Sequence, residues 1–188
     1  MERTLRGLWA LPECTVLGEI GLDYHYDLSP RDTQREVFER QLDLALELDM
    51  PVQLHIREAH GDTMELMRAR YKAGRLPRGI MHCFSGSAEM AKELVSLGMY
   101  VGLGGVVTFK NARHSREVAA AVPADRLLTE TDAPYMAPVP YRGKRNDSSL
   151  IPFSAAEIGA CRGISEEEVL DMGCRNACAL FGLSYEEE

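Results

Sequence analysis

Pro51-Val52-Gln53-Leu54-His55-Ile56 is a helix stop followed at once by a strand, and the chain on both sides of it repeats the same alternation. Proline has no amide hydrogen to donate and restricts the residue before it, so a helix ends here. Upstream, Ser29-Pro30-Arg31-Asp32 has the marks of a helix start: a capping side chain, a proline at the first position and an acid in the first turn. Val37, Phe38, Gln41, Leu42, Ala45 and Leu48 continue one face of that helix, and Thr15 to Ile20 ahead of it reads as a buried strand. Leu5, Leu8 and Trp9 have helical spacing, so the sequence opens within a helix.

Downstream the pattern predicts a helix around Asp62 to Arg70, a strand from Gly79 to His82, and a helix capped by Ser87 and closed by Gly98 in the C-cap position. Met99 to Leu103 is strand, Arg113 to Ala121 helix and Arg126 to Glu130 strand. Ala133 to Pro152 is a loop containing Pro134, Pro138, Pro140 and Pro152. Two helices finish the chain, the second opening on the capping box Ser165-Glu166-Glu167-Glu168. Strands separated by single helices indicate a parallel sheet, either open and doubly wound or part of a closed barrel. A complete (β/α)₈ barrel takes roughly 250 residues; 188 residues are too few to close one.

With 45% hydrophobic and 27% charged residues, the composition fits one domain with a real core, residues 1–188. No apolar run is long enough to span a bilayer. Met1-Glu2-Arg3-Thr4-Leu5-Arg6 lacks the features of a signal peptide, so a cytoplasmic protein without membrane contact is expected. Cys14, Cys83, Cys161, Cys174 and Cys178 form no Cys-x-x-Cys pair, which disfavours a zinc ribbon or a disulfide framework; they are expected to be mostly reduced core residues. The net charge of −8 rules out holding nucleic acid through the overall field. Any such attraction must be local, through bound cations and the cluster Arg142, Lys144, Arg145.

In parallel α/β folds catalytic groups gather at the C-terminal ends of the strands. Glu19, His55, His82 and Asp132 stand at such ends, while the strand Met99 to Leu103 leads instead to glycines and Thr108. Taken singly, Glu19 or Asp132 reads as a cap or an ion-pair member, His55 as a hydrogen-bonded core residue, and Cys83 as a small buried hydrophobe. Together, two imidazoles and two carboxylates make a mixed nitrogen and oxygen site for Zn²⁺, Mn²⁺, Fe or Mg²⁺. His25, His60 and His114 fall in loops or at helix ends and read as solvated surface, although Asp23 and His25 follow Glu19 closely enough to join it.

Gly18-Glu19-Ile20-Gly21-Leu22-Asp23-Tyr24, Pro51-Val52-Gln53-Leu54-His55-Ile56-Arg57, His82-Cys83-Phe84-Ser85-Gly86 and Glu130-Thr131-Asp132-Ala133-Pro134-Tyr135 resemble, in order, the GEIGLDY, PVxxHxR, HCFSG and ETDAPY motifs of the TatD-like DNase family. Arg142-Gly143-Lys144-Arg145-Asn146 resembles its RGKRN segment, and Asn176-Ala177 to Phe181-Gly182 its NAxxLFG. The resemblance implies an incomplete TIM-like (β/α)₈ barrel of about five parallel strands. It implies a metal-dependent nuclease with two divalent ions (Zn, Mn or Mg), acting on nucleic acid, DNA before RNA. By motif, Glu19 would bridge the ions, His55 and His82 would hold one, and Asp132 would touch the other and take the proton from the metal-bound water. Arg57, Lys144 and Arg145 would hold substrate.

The departures are specific. The family begins with a strand carrying His-x-His; here the nearest approach is His25-Tyr26-Asp27, after a different strand, and the family's first three βα units are not in this sequence. Leu17 and Leu128 are therefore expected on unpaired edges with exposed apolar faces. Asn146-Asp147-Ser148 stands where the family often has Asn-Glu-Pro. The alternatives are an amide or ester hydrolase on the same scaffold and an inactive remnant.

Overall fold

Strand and helix alternate through the chain, as its apolar pattern requires. The computed structural model describes residues 2–185. In chain order it contains α1 (Glu2–Trp9), β1 (Leu17–Asp23), α2 (Arg31–Glu47), β2 (Val52–Arg57), α3 (His60–Lys72), β3 (Gly79–Met81), α4 (Ala88–Ser96), β4 (Tyr100–Leu103), α5 (Arg113–Ala121), β5 (Leu127–Thr129), α6 (Ile151–Arg162) and α7 (Glu166–Phe181). The strands follow in sheet order β1-β2-β3-β4-β5, and the pairs β1/β2 and β4/β5 are parallel. This is the five-stranded α/β architecture expected from the sequence. No helix among the described residues is long and apolar enough to cross a membrane. The chain forms two compact units. One contains the residues up to Ile80 with Leu180–Gly182; the other contains Met81–Ala179 and resumes at Leu183.

In the first unit, β1 lies against β2 with Leu17 opposite Val52, Gly21 opposite His55 and Asp23 opposite Arg57. The register slips between Leu17 and Ile20. Gly18 and Glu19 are therefore both exposed, and the burial pattern resumes at Ile20 and Leu22. An irregularity of this kind bends a strand and re-aims a side chain. Helix α2 covers β1 with Phe38, Leu42 and Ala45, spaced four and three apart on one stripe. Arg70 of α3, nearly buried, donates to Asp43 of α2 through Nη2 and to the Arg75 carbonyl through Nε; Arg75 Nη2 also reaches Asp43 at 2.9 Å.

In the second unit, helices α4, α5 and α6 pack in succession. Arg162 of α6 donates to the carbonyls of Ala119 and Val122, closing the end of α5, and Arg116 pairs with Glu157. Asn176 of α7 donates to the carbonyls of Ala124 and Leu127, which ties α7 to the start of β5.

Several expectations need correction. Strand β1 runs to Asp23 and does not stop at Ile20, because the backbone beyond Gly21 stays paired with β2. Pro30, not Ser29, is the N-cap of α2, without a side-chain cap bond; Gln34 Nε2 instead binds the Ser29 carbonyl at 2.9 Å. Gly98 lies one residue beyond the C-cap Leu97. Pro152 sits in the first turn of α6, where a missing amide hydrogen costs nothing. Leu17 and Leu128 are buried, at 0% and 3% exposure: α2 covers β1, and α6 packs against β5. The five cysteines are free, but four are only half-buried and Cys174 is exposed, so they are not core residues. The capping box stands as read, with Glu168 N donating to Ser165 Oγ at 3.1 Å and Ser165 N to Glu168 Oε2 at 2.7 Å. The helix expected from the spacing of Leu5, Leu8 and Trp9 is α1, with the Leu5 side chain outside the described residues.

The hydrogen bond from Arg70 is the main reason the Asp43 carboxyl lies below its usual 3.8. A depressed carboxyl stabilises the fold above its unfolded pKa, and that contribution is lost as pH falls through the folded value. Asp43→Asn leaves a buried guanidinium short of its counter-charge and is expected to cost about 1–2 kcal/mol at pH 7. The difference from the parent should shrink on acidification below 3.8. Urea melts across that range check both statements; equal stability at pH 7 refutes them.

Candidate functional site

Each unit presents one histidine held between two carboxylates, His55 within β2 and His82 just after β3. In the first unit this is His55 of β2. Its Nε2 lies 3.3 Å from Asp23 Oδ2, and its Nδ1 lies 3.7 Å from Glu19 Oε2. Asp23 is fixed in turn: Oδ1 accepts from the backbone amides of His25 at 2.9 Å and Tyr26 at 3.0 Å, while its own amide donates to Gln34 Oε1 at 2.9 Å. Burial works to raise the Asp23 pKa, but those amides and His55 outweigh it and hold the carboxyl below its usual value. Gly21 is what lets the two strands meet here. With φ at +151°, it sits where a Cβ would come within 1.9 Å of the His55 carbonyl. Arg57, opposite Asp23 in the register, stacks its guanidinium 4.8 Å above the Tyr26 ring.

In the second unit the histidine is His82, just after β3, with its side chain only 3% exposed. Its Nδ1 lies 2.6 Å from Glu130 Oε2, and its Nε2 lies 3.5 Å from Asp132 Oδ1. Glu130 also accepts from the Cys83 backbone amide at 2.5 Å through Oε1. Its carboxylate occupies the space over Gly102 of β4, where a Cβ would be 2.5 Å away. Burial works to lower the His82 pKa, but hydrogen bonds with Cys83 and Glu130 win and push it up to about 11. Burial likewise pushes the Cys83 thiol above its usual value.

The two longer contacts carry the chemical meaning. At 3.5 and 3.7 Å they are too long for hydrogen bonds. Two donors that share one tetrahedral ion through bonds of about 2.1 Å lie about 3.4 Å apart. The shorter contacts, Asp23 on His55 and Glu130 on His82, do what carboxylates do behind ligating imidazoles: they fix the tautomer and the ring. Imidazole and carboxylate donors in this arrangement fit a divalent cation of the Zn²⁺ or Mn²⁺ kind. His82, Cys83 and Glu130 also offer ligand atoms within 4.8 Å of one another. Both Glu130 oxygens are already hydrogen-bonded, so Glu130 is better suited to supporting His82.

Of the residues picked from the sequence, the structure brings Glu19 to His55 and Asp132 to His82. Arg57 stands beside the first pair, next to Tyr26 in the loop held by Asp23. Lys144 lines a pocket with Arg142, while Arg145 acts on Asp147 by charge. His25 binds Glu58 and His114 binds Glu117, both at the surface. The residue missed is Glu130. Its signal lay in Glu130-Thr131-Asp132: two positions apart on an extended chain, both side chains face the same way.

The whole of residues 1–182 matches the family model described as "TatD related DNase". The chain is 41% identical over 180 residues to an uncharacterized metal-dependent hydrolase, YabD, of Bacillus subtilis, covering 96% of this chain and 70% of the relative. It is 37% identical over 186 residues to a protein of Pantoea vagans named 3'-5' ssDNA/RNA exonuclease TatD, covering 96% and 71%. The crystal structure of YJJV, a TatD homologue of Escherichia coli, superposes with a TM-score of 0.86 at 32% identity, covering 97% of this chain and 69% of the other. The chain thus spans about two thirds of the length of the relatives it matches, between 66% and 71%.

Two substitutions test the geometry without removing a metal-facing group. Glu130→Gln, and Gly102→Ala by displacing the Glu130 carboxylate, should each weaken Zn²⁺ or Mn²⁺ binding about 10- to 100-fold in calorimetric titration. Unchanged affinity in both would show that Glu130 does not orient a ligand.

Proposed function

The chain belongs to the TatD related DNase family, and on that premise we propose that it hydrolyses phosphodiester bonds in nucleic acid with divalent metal, DNA before RNA. The observation that carries the reading is the pair of histidines, each backed by a hydrogen-bonded carboxylate and each facing a second carboxylate at ligand spacing. The proposal assigns metal ligation to Glu19, His55, His82 and Asp132. When bound, divalent ions polarise the phosphoryl group and make a water nucleophile available near neutral pH.

The chain's own residues do the rest. Asp132 Oδ1, beside His82 Nε2, accepts the proton of the attacking water. Glu19 adds the negative charge that draws cations to His55. Asp23 and Glu130 keep the two rings from turning, so the site is set before substrate arrives. Arg57, Lys144 and Arg145 meet phosphates, which an acidic chain needs because its net charge of −8 repels them. Arginine suits that task through its bidentate fork.

The deciding assay offers single- and double-stranded oligonucleotides beside a panel of small amides and esters, with Mn²⁺ or Zn²⁺ and with excess chelator. Cleavage of the oligonucleotides alone, abolished by chelator and reduced at least about 100-fold by His82→Ala or Glu19→Gln, is the expected outcome. Turnover of amides or esters without phosphodiester cleavage would replace the reading with hydrolysis of those bonds. Arg145→Ala should raise KM for an oligonucleotide more than it lowers kcat, because a remote phosphate contact binds ground and transition states alike. Equal losses on a long and a mononucleotide-sized phosphodiester would make Arg145 a structural support.

A further inference from the structure

Strand β1 is the edge of the described sheet, and its last residue, Asp23, is the one that sets the His55 ring. The next amide, Tyr24 N, donates across to the Arg57 carbonyl of β2 at 2.9 Å. Successive amides of a strand point to opposite sides, so the Asp23 amide points away from β2, where the described sheet has no strand to receive it. A side chain does so instead: Gln34 Oε1 accepts that amide at 2.9 Å.

Gln34 commits the rest of its hydrogen-bonding capacity to the same loop. Its Nε2 donates to Asp27 Oδ1 at 3.3 Å and to the Ser29 carbonyl at 2.9 Å. Asp27 has φ +49°, a left-handed conformation that a residue with a side chain keeps only when it is held. The support behind Gln34 is stiff. Its own amide donates to the Pro30 carbonyl at 3.0 Å in the first turn of α2, and α2 lies on β1 through the buried Phe38 and Leu42. On the other side of Asp23, Tyr24 Oη donates to Asp62 Oδ2 of α3 at 2.7 Å, and Arg35 Nη1 reaches the same oxygen at 3.1 Å. Burial, and then Asp62, push the Tyr24 hydroxyl up to about 12, so it remains a donor at any working pH.

The task at residue 34 needs an acceptor and two donors on one side chain. A carboxylate would still accept from Asp23, but would face the Asp27 carboxylate and the Ser29 carbonyl with no hydrogen to give. A thioether of the same length would do neither. We propose that Gln34 is a positioning residue for the His55 site: it fixes the residue whose carboxylate turns the imidazole toward a divalent cation. The inference rests on the metal ligation proposed for His55 and extends its support into α2.

Calorimetric titration with Zn²⁺ or Mn²⁺ tests this, reading the binding event that His55→Ala removes. Gln34→Met should weaken that event about 10-fold, the low end of the loss when a group behind a ligating imidazole is removed. Asp23→Asn should weaken it about 10- to 100-fold. The two together should bind no more weakly than Asp23→Asn alone, because Gln34 acts through Asp23. A merely structural Gln34 would make the two losses multiply. Gln34→Glu should behave as Gln34→Met does. Adding Asp27→Asn to Gln34→Glu should recover part of the loss, since the introduced amide can donate to the introduced carboxylate. Unchanged affinity in both Gln34 variants, or losses that multiply with Asp23→Asn, overturns the proposal. Metal binding that His55→Ala leaves untouched overturns the assignment of His55 and this inference with it. Binding that needs His55 and ignores Gln34 sinks this inference alone.

Discussion

A neutral imidazole has one nitrogen that donates and one that accepts, and whatever binds the first decides what the second can do. In this chain the first is taken by a carboxylate in both cases, Asp23 at His55 and Glu130 at His82. Much of the local architecture serves those two contacts. Asp23 can hold His55 because the amides of His25 and Tyr26 hold its other oxygen. Glu130 can reach His82 because β4 carries a glycine beneath it and because the Cys83 amide meets its second oxygen. Backbone amides therefore set the imidazoles through an intermediate carboxylate, and a backbone is a stiffer reference than any side chain.

The same economy explains the placement of small residues. Gly21 and Gly102 lie on strands where an apolar side chain would add burial, and each forgoes it so that a neighbour can come close. At Gly21 the neighbour is the main chain of His55; at Gly102 it is the carboxylate behind His82. Stability is surrendered locally and recovered elsewhere, in the fully buried Leu17, Leu22, Leu42 and Leu54 of the first unit and Leu94, Val101 and Leu127 of the second.

Much of this was legible in the sequence. Helices and strands followed from Pro51, from the apolar stripes and from the capping box at Ser165, because those signals are local. Glu19, His55, His82 and Asp132 were picked because strand ends in parallel sheets collect chemistry; the structure sets Glu19 beside His55 and Asp132 beside His82, but Glu19 lies within β1 and not at its end. Glu130 was passed over although it stands two residues before Asp132 on an extended stretch, because its partner His82 is 48 residues away in sequence. The burial of Leu17 and Leu128 was misjudged for a related reason: covering a strand is the work of helices whose packing a linear pattern does not specify. Ser29 looked like a cap by residue type, but Gln34 took its carbonyl and the chain entered the helix through Pro30. The cysteines were assigned to the core from composition, which says nothing about where on a helix or loop each falls.

The slip in register at Gly18 and Glu19 has a consequence for how such a protein changes over generations. Strict alternation would have turned Glu19 toward the core, where a carboxylate is ruinous and an aliphatic residue welcome. The irregularity frees that position from the core's demands, and β1 keeps its apolar set at Leu17, Ile20 and Leu22 whatever stands at residue 19. A lineage could therefore lose the charge at that position and go on folding. Selection for a stable chain would not detect the loss; only selection for the reaction would.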